Sequence, residues 1–166
     1  MSVFGKDEAA IAKFAAGMPL PEFDETSFNE PKSLDIAKVA IVTTAALHRV
    51  GRDGFELGDS DYHYETLPRA ARDLALGHHS VNFDRGGFAA DINVVFPIDR
   101  LEELAEDAVI GDVADNHYAF AGNQSVTVSE IRLDSGPHCA REMLDEGVDV
   151  VSVSYTHLTL PTNTRV

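Results

Sequence analysis

The sequence predicts an α/β fold, a three-layer sandwich around a mostly parallel sheet that is incomplete at its C-terminal end. The chain has 166 residues, 44% of them hydrophobic, which suits about one domain with one sizeable core. Lys38–Thr44 is β-branched, apolar on both faces and too short for a helix, as expected of a buried parallel strand. Further strand-like segments alternate with helix-like ones, which is typical of this class.

Residues 1–37 are predicted to form a helix and an extended arm. Asp7–Ala16 places its apolar residues largely on one helical face and has acidic residues at the end where the macrodipole favours anions. Three prolines interrupt Gly17–Ser33, which indicates an arm lying across the domain rather than a domain of its own.

The α/β domain is predicted over residues 38–151. After the first strand, the glycines between Gly51 and Gly58 indicate a long loop, and the composition of Asn82–Asn93 indicates a second loop. The segment that Pro97 opens has apolar residues at helical spacing, and Pro137–Glu146 has a helix-opening proline followed by a terminal glycine. The later strands are predicted at Tyr62–Thr66, Asp73–His79, Val113–Phe120, Val126–Leu133 and Val148–Val151.

The charge balance excludes several classes of partner. With 13 basic and 28 acidic residues, the chain has a formal charge of −15 and repels nucleic acid and anionic membrane surfaces. The single cysteine, Cys139, cannot close an intrachain disulfide, and no signal peptide or membrane-spanning run is present. A soluble, cytoplasmic protein is therefore expected.

The C-terminal residues 152–166 are expected to be a foreign tail. Ser152–Thr162 closely resembles the in-frame translation of a transposase adapter used in making DNA sequencing libraries. The natural part of the chain is then expected to end at about Val151. The alternative is a genuine threonine-rich strand.

Histidines and the lone cysteine are the candidate chemical groups. His48 directly follows the first strand and His117 lies near the end of another, so both are expected to face one cleft at the carboxyl edge of the sheet. Either could act as a general acid or base or simply fix a loop by a hydrogen bond. Cys139 lies near a predicted helix start, where the dipole lowers a thiol pKa, although a lone cysteine there is more often inert. The spacing matches no standard zinc or nucleotide-binding motif, so neither a metal nor a nucleotide site is expected.

Several motifs together resemble the selenoprotein B family of glycine, sarcosine, betaine and D-proline reductases, and their order and spacing also match. They are Val39–His48, Gly58–Asp59 with Tyr62, Ser80–Arg85, Asp91–Leu101, Ile110–Gly111, His117–Tyr118 and Gly147–Val151.

The resemblance implies a reductive cleavage of a C–N bond in an amino acid or its N-methyl derivative. In this family a selenocysteine, or a cysteine in its place, attacks the α-carbon of a small amino-acid-type substrate, because a selenolate or thiolate is the ionised nucleophile. The substrate is held by a pyruvoyl group on a companion subunit, so no cofactor is expected in this chain. A thiol or selenol electron carrier or a dithiol supplies the electrons.

The chain departs from the family at the nucleophile, which should follow the strand that begins at Val148. Adapter-like residues stand there, and Cys139 precedes that strand, so the chain as given is expected to be inactive. Ala46 stands where a glycine is usual, and Ala119 and Ala121 stand where Ser and Met usually flank the phenylalanine.

We take His48, His79, Asp84 and His117 as candidate pocket residues of this reductase fragment. One alternative is a binding or scaffolding module of the same fold without a nucleophile. A metal-dependent hydrolase using the histidines is another alternative.

Overall fold

The computed structural model of the protein describes residues 13, 16–17, 30–56, 61–77, 85–122, 124 and 129–155. Lys13 and Ala16 are helical, and the rest of the predicted N-terminal helix and most of the arm lie outside the described residues. The elements are β1 (Lys38–Thr43), β2 (Leu47–Arg49), β3 (Tyr64–Pro68), β4 (Leu74–Leu76), α1 (Arg85–Ala90), α2 (Ile98–Glu106), β5 (Asp112–Val113), β6 (Asn116–Phe120), α3 (Gly136–Asp145) and β7 (Val150–Ser154).

The main sheet is mostly parallel, as the sequence predicts. Strand β1 pairs in parallel with β7 on one side and with β5 and β6 on the other. Strand β3 is antiparallel to β6 and covers its outer edge. The β-branched run at Lys38–Thr43 thus lies at the centre of the sheet, where both of its edges are hydrogen-bonded.

Helices cover the sheet on both faces, which confirms the three-layer sandwich. On one face, Val39 and Ile41 pack with Ile98 and Leu101 of α2. On the other face, Tyr118 and Phe120 of β6 pack with Cys139 and Met143 of α3, and with Val42 of β1. The alternation of β1 side chains between these two clusters follows from the two-residue period of a strand.

A small second sheet follows β1 directly. Strand β2, at Leu47–Arg49, pairs antiparallel with β4 and places His48 opposite Ala75. Strand β4 lies within the predicted Asp73–His79, whereas β2 lies where no strand was predicted. Its three residues are too few to show a periodic pattern.

The prediction of a loop over Asn82–Asn93 is wrong for its described part. Arg85–Ala90 form helix α1, and Ile92–Val94 form a 3₁₀ turn capped by Asp91, whose side chain accepts a hydrogen bond from the backbone N–H of Asn93. Glycines normally lower helix propensity, but Phe88 and Ile92 pack against the main core. Tertiary burial therefore outweighs the local preference.

Two strand predictions also need correction. Val126–Leu133 is not a strand in its described part: Ser129 and Glu130 are helical, and Ile131–Ser135 form a π-helical turn that leads into α3. The helix therefore begins before Pro137 rather than being opened by it. Val113–Phe120 is two strands, β5 and β6, separated by Ala114 and Asp115.

The last strand crosses the boundary expected at Val151. Strand β7 continues to Ser154 and keeps its register with β1 up to Thr43. Ser154 also donates a hydrogen bond from Oγ to the carbonyl of Val95 at 2.6 Å. Whether residues 152–166 are foreign to the protein stays a prediction. No helix in the described part of the chain is long and apolar enough to cross a membrane.

Candidate active site

An apolar cavity of about 500 Å³ lies where the strands β1, β6 and β7 end. Carboxyl ends of parallel strands meet at one edge of a sheet, and ligands of α/β proteins commonly bind there. Helix α3 and the π-helical turn before it close the side of the cavity. Its lining residues are Val42, Thr44, Phe120, Ala121, Gly122, Gln124, Ile131, Gly136, Cys139, Met143 and Val153.

A strained turn follows β1, two residues after Thr44, which lines the cavity. Ala46 is fully buried and has a φ of 52°, in the left-handed region that disfavours residues with a Cβ. The N–H of Ala46 donates to the carbonyl of Phe120 at 2.9 Å, and its own carbonyl accepts from the N–H of Gly77 at 2.8 Å. These bonds fix the end of β1 against β6 and β4. The resemblance leads one to expect a glycine here, which put a tight turn in doubt, and the structure forms the turn with alanine.

Cys139 lies in the cavity wall as a neutral thiol. Its side chain is buried, and burial, with a smaller effect from the nearby Glu142, raises the pKa of Cys139 to about 12. The expectation that a helix start lowers this pKa is wrong, because burial disfavours the charged thiolate and the nearby Glu142 carboxylate repels it. At neutral pH Cys139 is therefore not ionised, and only an ionised thiol is a strong nucleophile.

His117 has a structural position inside the sheet. Its side chain is fully buried, and its Nδ1 accepts a hydrogen bond from the backbone N–H of Ile41 at 3.0 Å. Strands β5 and β6 pair with successive parts of β1, and this hydrogen bond connects His117 to β1 near the break between them. Burial lowers the pKa of His117 to about 4, so the ring is neutral at physiological pH. Because Nδ1 accepts, the proton is assigned to Nε2, which is buried without a partner in the described part of the chain.

His48 lies on β2 with a different set of contacts. Its Nδ1 is 3.2 Å from the carbonyl oxygen of Arg49, and its ring packs against Gly54, where a Cβ would come within 2.9 Å of Nε2. Neither His48 nor His117 lines the apolar cavity. That the two rings share one cleft stays a prediction. The other two candidates, His79 and Asp84, lie outside the described residues.

A second, polar cavity of about 470 Å³ surrounds Asp61 and His63. The buried carboxylate of Asp61 accepts hydrogen bonds from His63 and from the backbone N–H of Glu56, and His63 stacks on Phe55 with ring centroids 4.6 Å apart. These contacts tie the loop after β2 to the start of β3. Among the described residues, no group of three His, Cys, Asp or Glu side chains has the arrangement of a metal site.

Comparison with known proteins shows one consistent family. The profile of the glycine/sarcosine/betaine reductase selenoprotein B family matches residues 8–156. D-proline reductase subunit gamma of Acetoanaerobium sticklandii is 32% identical over 122 residues, which cover 72% of this chain and 49% of the relative. The glycine reductase complex component B subunit gamma of Symbiobacterium thermophilum is 32% identical over 110 residues, covering 63% and 26% respectively.

A third relative extends the match over most of the chain. The sarcosine reductase complex component B subunit beta of Peptoclostridium acidaminophilum is 26% identical over 152 residues, covering 87% of this chain and 34% of the relative. The chain thus spans half or less of the length of these curated relatives. No solved structure matches significantly.

Proposed function

The chain belongs to the glycine/sarcosine/betaine reductase selenoprotein B family, and from that membership we propose that it is the N-terminal part of a reductase subunit. The subunit uses a selenocysteine or cysteine to cleave a C–N bond of an amino acid or its N-methyl derivative. Substrates of the glycine, sarcosine, betaine or D-proline type fit this proposal. The protein acts in the cytoplasm, together with a companion subunit that bears a pyruvoyl group and with a thiol or selenol electron carrier.

The position of the apolar cavity is the observation that supports this proposal most. The nucleophile of the family is expected just past the strand that begins at Val148, and in this chain β7 ends beside Thr44 at the cavity rim. A nucleophile on the following residues would thus come close to a cavity whose walls are mostly apolar. Such walls exclude water and favour attack at carbon over hydrolysis.

Ala46 and His117 hold the strands around the cavity in place and take no direct part in the reaction. The bonds of Ala46 hold the carboxyl ends of β1 and β6 together, and the bond from Ile41 to His117 holds these strands in register below them. A rigid platform of this kind limits the positions that a nucleophile and a substrate can take.

The chain as given is expected to show no reductase activity, because its 166 residues contain no selenocysteine and its one cysteine is a buried neutral thiol. Incubation with a dithiol and glycine, sarcosine, betaine or D-proline should release no amine and open no proline ring above the rate without protein. Cys139→Ser should leave this background rate unchanged. Turnover that disappears in Cys139→Ser would refute the assignment of Cys139 as a wall residue.

A full-length gene product tests this proposal against the alternative that the protein is a binding or scaffolding module. The proposal requires a selenocysteine or cysteine shortly after β7 and amine release that depends on it. An ordinary apolar loop there, with no turnover of any of the four substrates, would favour the module.

A further inference from the structure

A third recess, a groove of about 370 Å³, lies between the β3–β6 edge and helix α3 and shares no lining residue with the apolar cavity. We call it the acidic groove. Its lining residues are Thr66, Asn116, Tyr118, Glu142, Asp145 and Glu146.

The hydroxyl of Tyr118 is an unused polar group in this groove. Tyr118 is only 2% exposed, and its ring packs edge-on against Tyr64 with centroids 5.6 Å apart. Its hydroxyl has no hydrogen-bond partner in the described part of the chain, although it lines the groove. The donor and acceptor capacity of this hydroxyl is therefore free for a ligand in the groove. Burial and the carboxylate of Glu142 raise the pKa of Tyr118, which keeps the hydroxyl protonated.

The carboxylate of Glu146 is fixed in the groove by neutral donors. Its Oε1 accepts from the backbone N–H groups of Asp115 at 2.5 Å and Asn116 at 3.3 Å, and its Oε2 accepts from Nδ2 of Asn116 at 3.1 Å. Lys38 approaches Glu146 but donates from Nζ to its carbonyl oxygen. These contacts orient the negative charge of Glu146 without pairing it with a cation.

The other two carboxylates add charge at the same place. Glu142 lies 3.8 Å from Nδ1 of His138, and neither Glu142 nor Asp145 forms an ion pair with a lysine or arginine of the described residues. The neighbouring Arg141 forms no ion pair within the described part of the chain. The groove therefore holds three carboxylates beside the hydroxyl of Tyr118, and all four groups can accept hydrogen bonds.

We propose that the acidic groove binds a primary alkylammonium or guanidinium group, through hydrogen bonds to Tyr118 and charge attraction to Glu142, Asp145 and Glu146. Such groups offer several N–H donors and a positive charge, which match this set of acceptors. A free α-amino acid fits less well, since its own carboxylate would lie among three others. The ligand is therefore of a different class from the substrates of the proposed reductase.

Binding of n-butylammonium, followed by the backbone amide NMR shifts of residues 66, 116 and 118, tests this site. We expect n-butylammonium to bind at least tenfold more tightly than n-butanol, and its Kd to rise several-fold between about 20 and 200 mM NaCl. Tyr118→Phe keeps the ring but removes the hydroxyl, and should raise the Kd about tenfold, as expected for a hydrogen bond to a charged group. Tyr62→Phe is the matched control, because it removes the hydroxyl of an exposed tyrosine that does not line the groove, and it should change the Kd less than twofold.

Two results would overturn the proposal. One is that n-butylammonium binds no more tightly than n-butanol. The other is an unchanged Kd in Tyr118→Phe. If Tyr118→Phe does not fold, Glu142→Gln should raise the Kd and reduce its salt dependence, and an unchanged Kd and salt dependence would again overturn it.

The same titration distinguishes two sources of the alkylammonium group, a lysine side chain of a partner protein and a small free amine. A blocked peptide, acetyl-Gly-Lys-Gly-amide, that binds at least as tightly as n-butylammonium would identify a lysine side chain of a partner protein as the ligand. Binding of n-butylammonium without binding of the peptide would identify a small free amine. Both results support a cation site, and neither depends on reductase activity.

Discussion

Replacing His117 by phenylalanine is expected to lower the free energy of unfolding at pH 7 by about 2 kcal/mol and to reduce the loss of stability between pH 6.5 and pH 4. Phenylalanine fills nearly the same volume but cannot accept the hydrogen bond from the N–H of Ile41, which is then buried without a partner. An unsatisfied buried N–H costs about 1–3 kcal/mol.

The pH dependence follows from the low pKa of the buried ring. The pKa of His117 is about 4 in the folded protein, against 6.5 for an ordinary histidine. As the pH falls through 6.5, the unfolded chain binds a proton that the folded protein does not, so the wild-type protein loses stability until the pH reaches about 4. The total loss is about 3 kcal/mol, from about 1.4 kcal/mol for each unit of pKa difference.

Urea unfolding at a series of pH values between 4 and 7.5 measures both effects. His117→Phe should be less stable than the wild type at pH 7 and should match or exceed it at pH 4. His138→Gln, which removes an exposed imidazole, is the control for the loss of a histidine side chain. A wild-type stability that stays constant between pH 6.5 and pH 4 would contradict the assignment of a neutral, buried His117.

Gly111→Ala is expected to destabilise the protein by about 3 kcal/mol. A Cβ on Gly111 would lie 2.4 Å from the carbonyl carbon of Ile36 and 2.7 Å from its Cα. Both are backbone atoms next to β1, and the N–H of Gly111 donates to the carbonyls of Leu34 and Ala37 there. The added methyl must therefore displace the chain that enters the central strand, and overpacking of this kind costs about 1–3 kcal/mol or more.

Gly87→Ala is the matched control for Gly111→Ala. Its Cβ would lie 3.4 Å from a side-chain carbon of Val94, an ordinary contact, and alanine favours the helix α1. Thermal or urea unfolding should place Gly87→Ala at or slightly above the wild type. A Gly111→Ala protein as stable as Gly87→Ala would show that the segment before β1 does not pack as described.

The sequence predicts the centre of the fold better than its periphery. The run at Lys38–Thr43 is β-branched and hydrogen-bonded on both sides, so local preference and tertiary environment agree. The helix after Pro97 is likewise predicted, because its apolar residues at helical spacing face the core. Ile131 shows the opposite case: it lies in a β-branched stretch, yet it is helical because it packs with Tyr118 and Phe120 under α3.

The sequence indicates the edge of the sheet at which the cavity lies, but not the groups that line it. Placing ligands at the carboxyl ends of parallel strands leads to the cavity beside Thr44, but the roles of individual side chains depend on contacts distant in sequence. His117 accepts a hydrogen bond from the N–H of Ile41, 76 residues away in the chain. The ring can do so because a break between β5 and β6 leaves this N–H of β1 without a backbone partner. The pKa of Cys139 depends on burial of the thiol against the sheet, which no local pattern predicts.

The location of the reductase site is tested most directly by Thr44→Leu in a full-length gene product that has its nucleophile. Thr44 lines the cavity at the end of β1, and leucine there fills part of the proposed substrate space. Thr66→Leu, on β3 and away from this cavity, is the matched control. We expect Thr44→Leu to lower kcat/KM for amine release at least tenfold, while Thr66→Leu changes it less than twofold. An unchanged kcat/KM in a folded Thr44→Leu protein would contradict the placement of catalysis at the carboxyl ends of β1, β6 and β7.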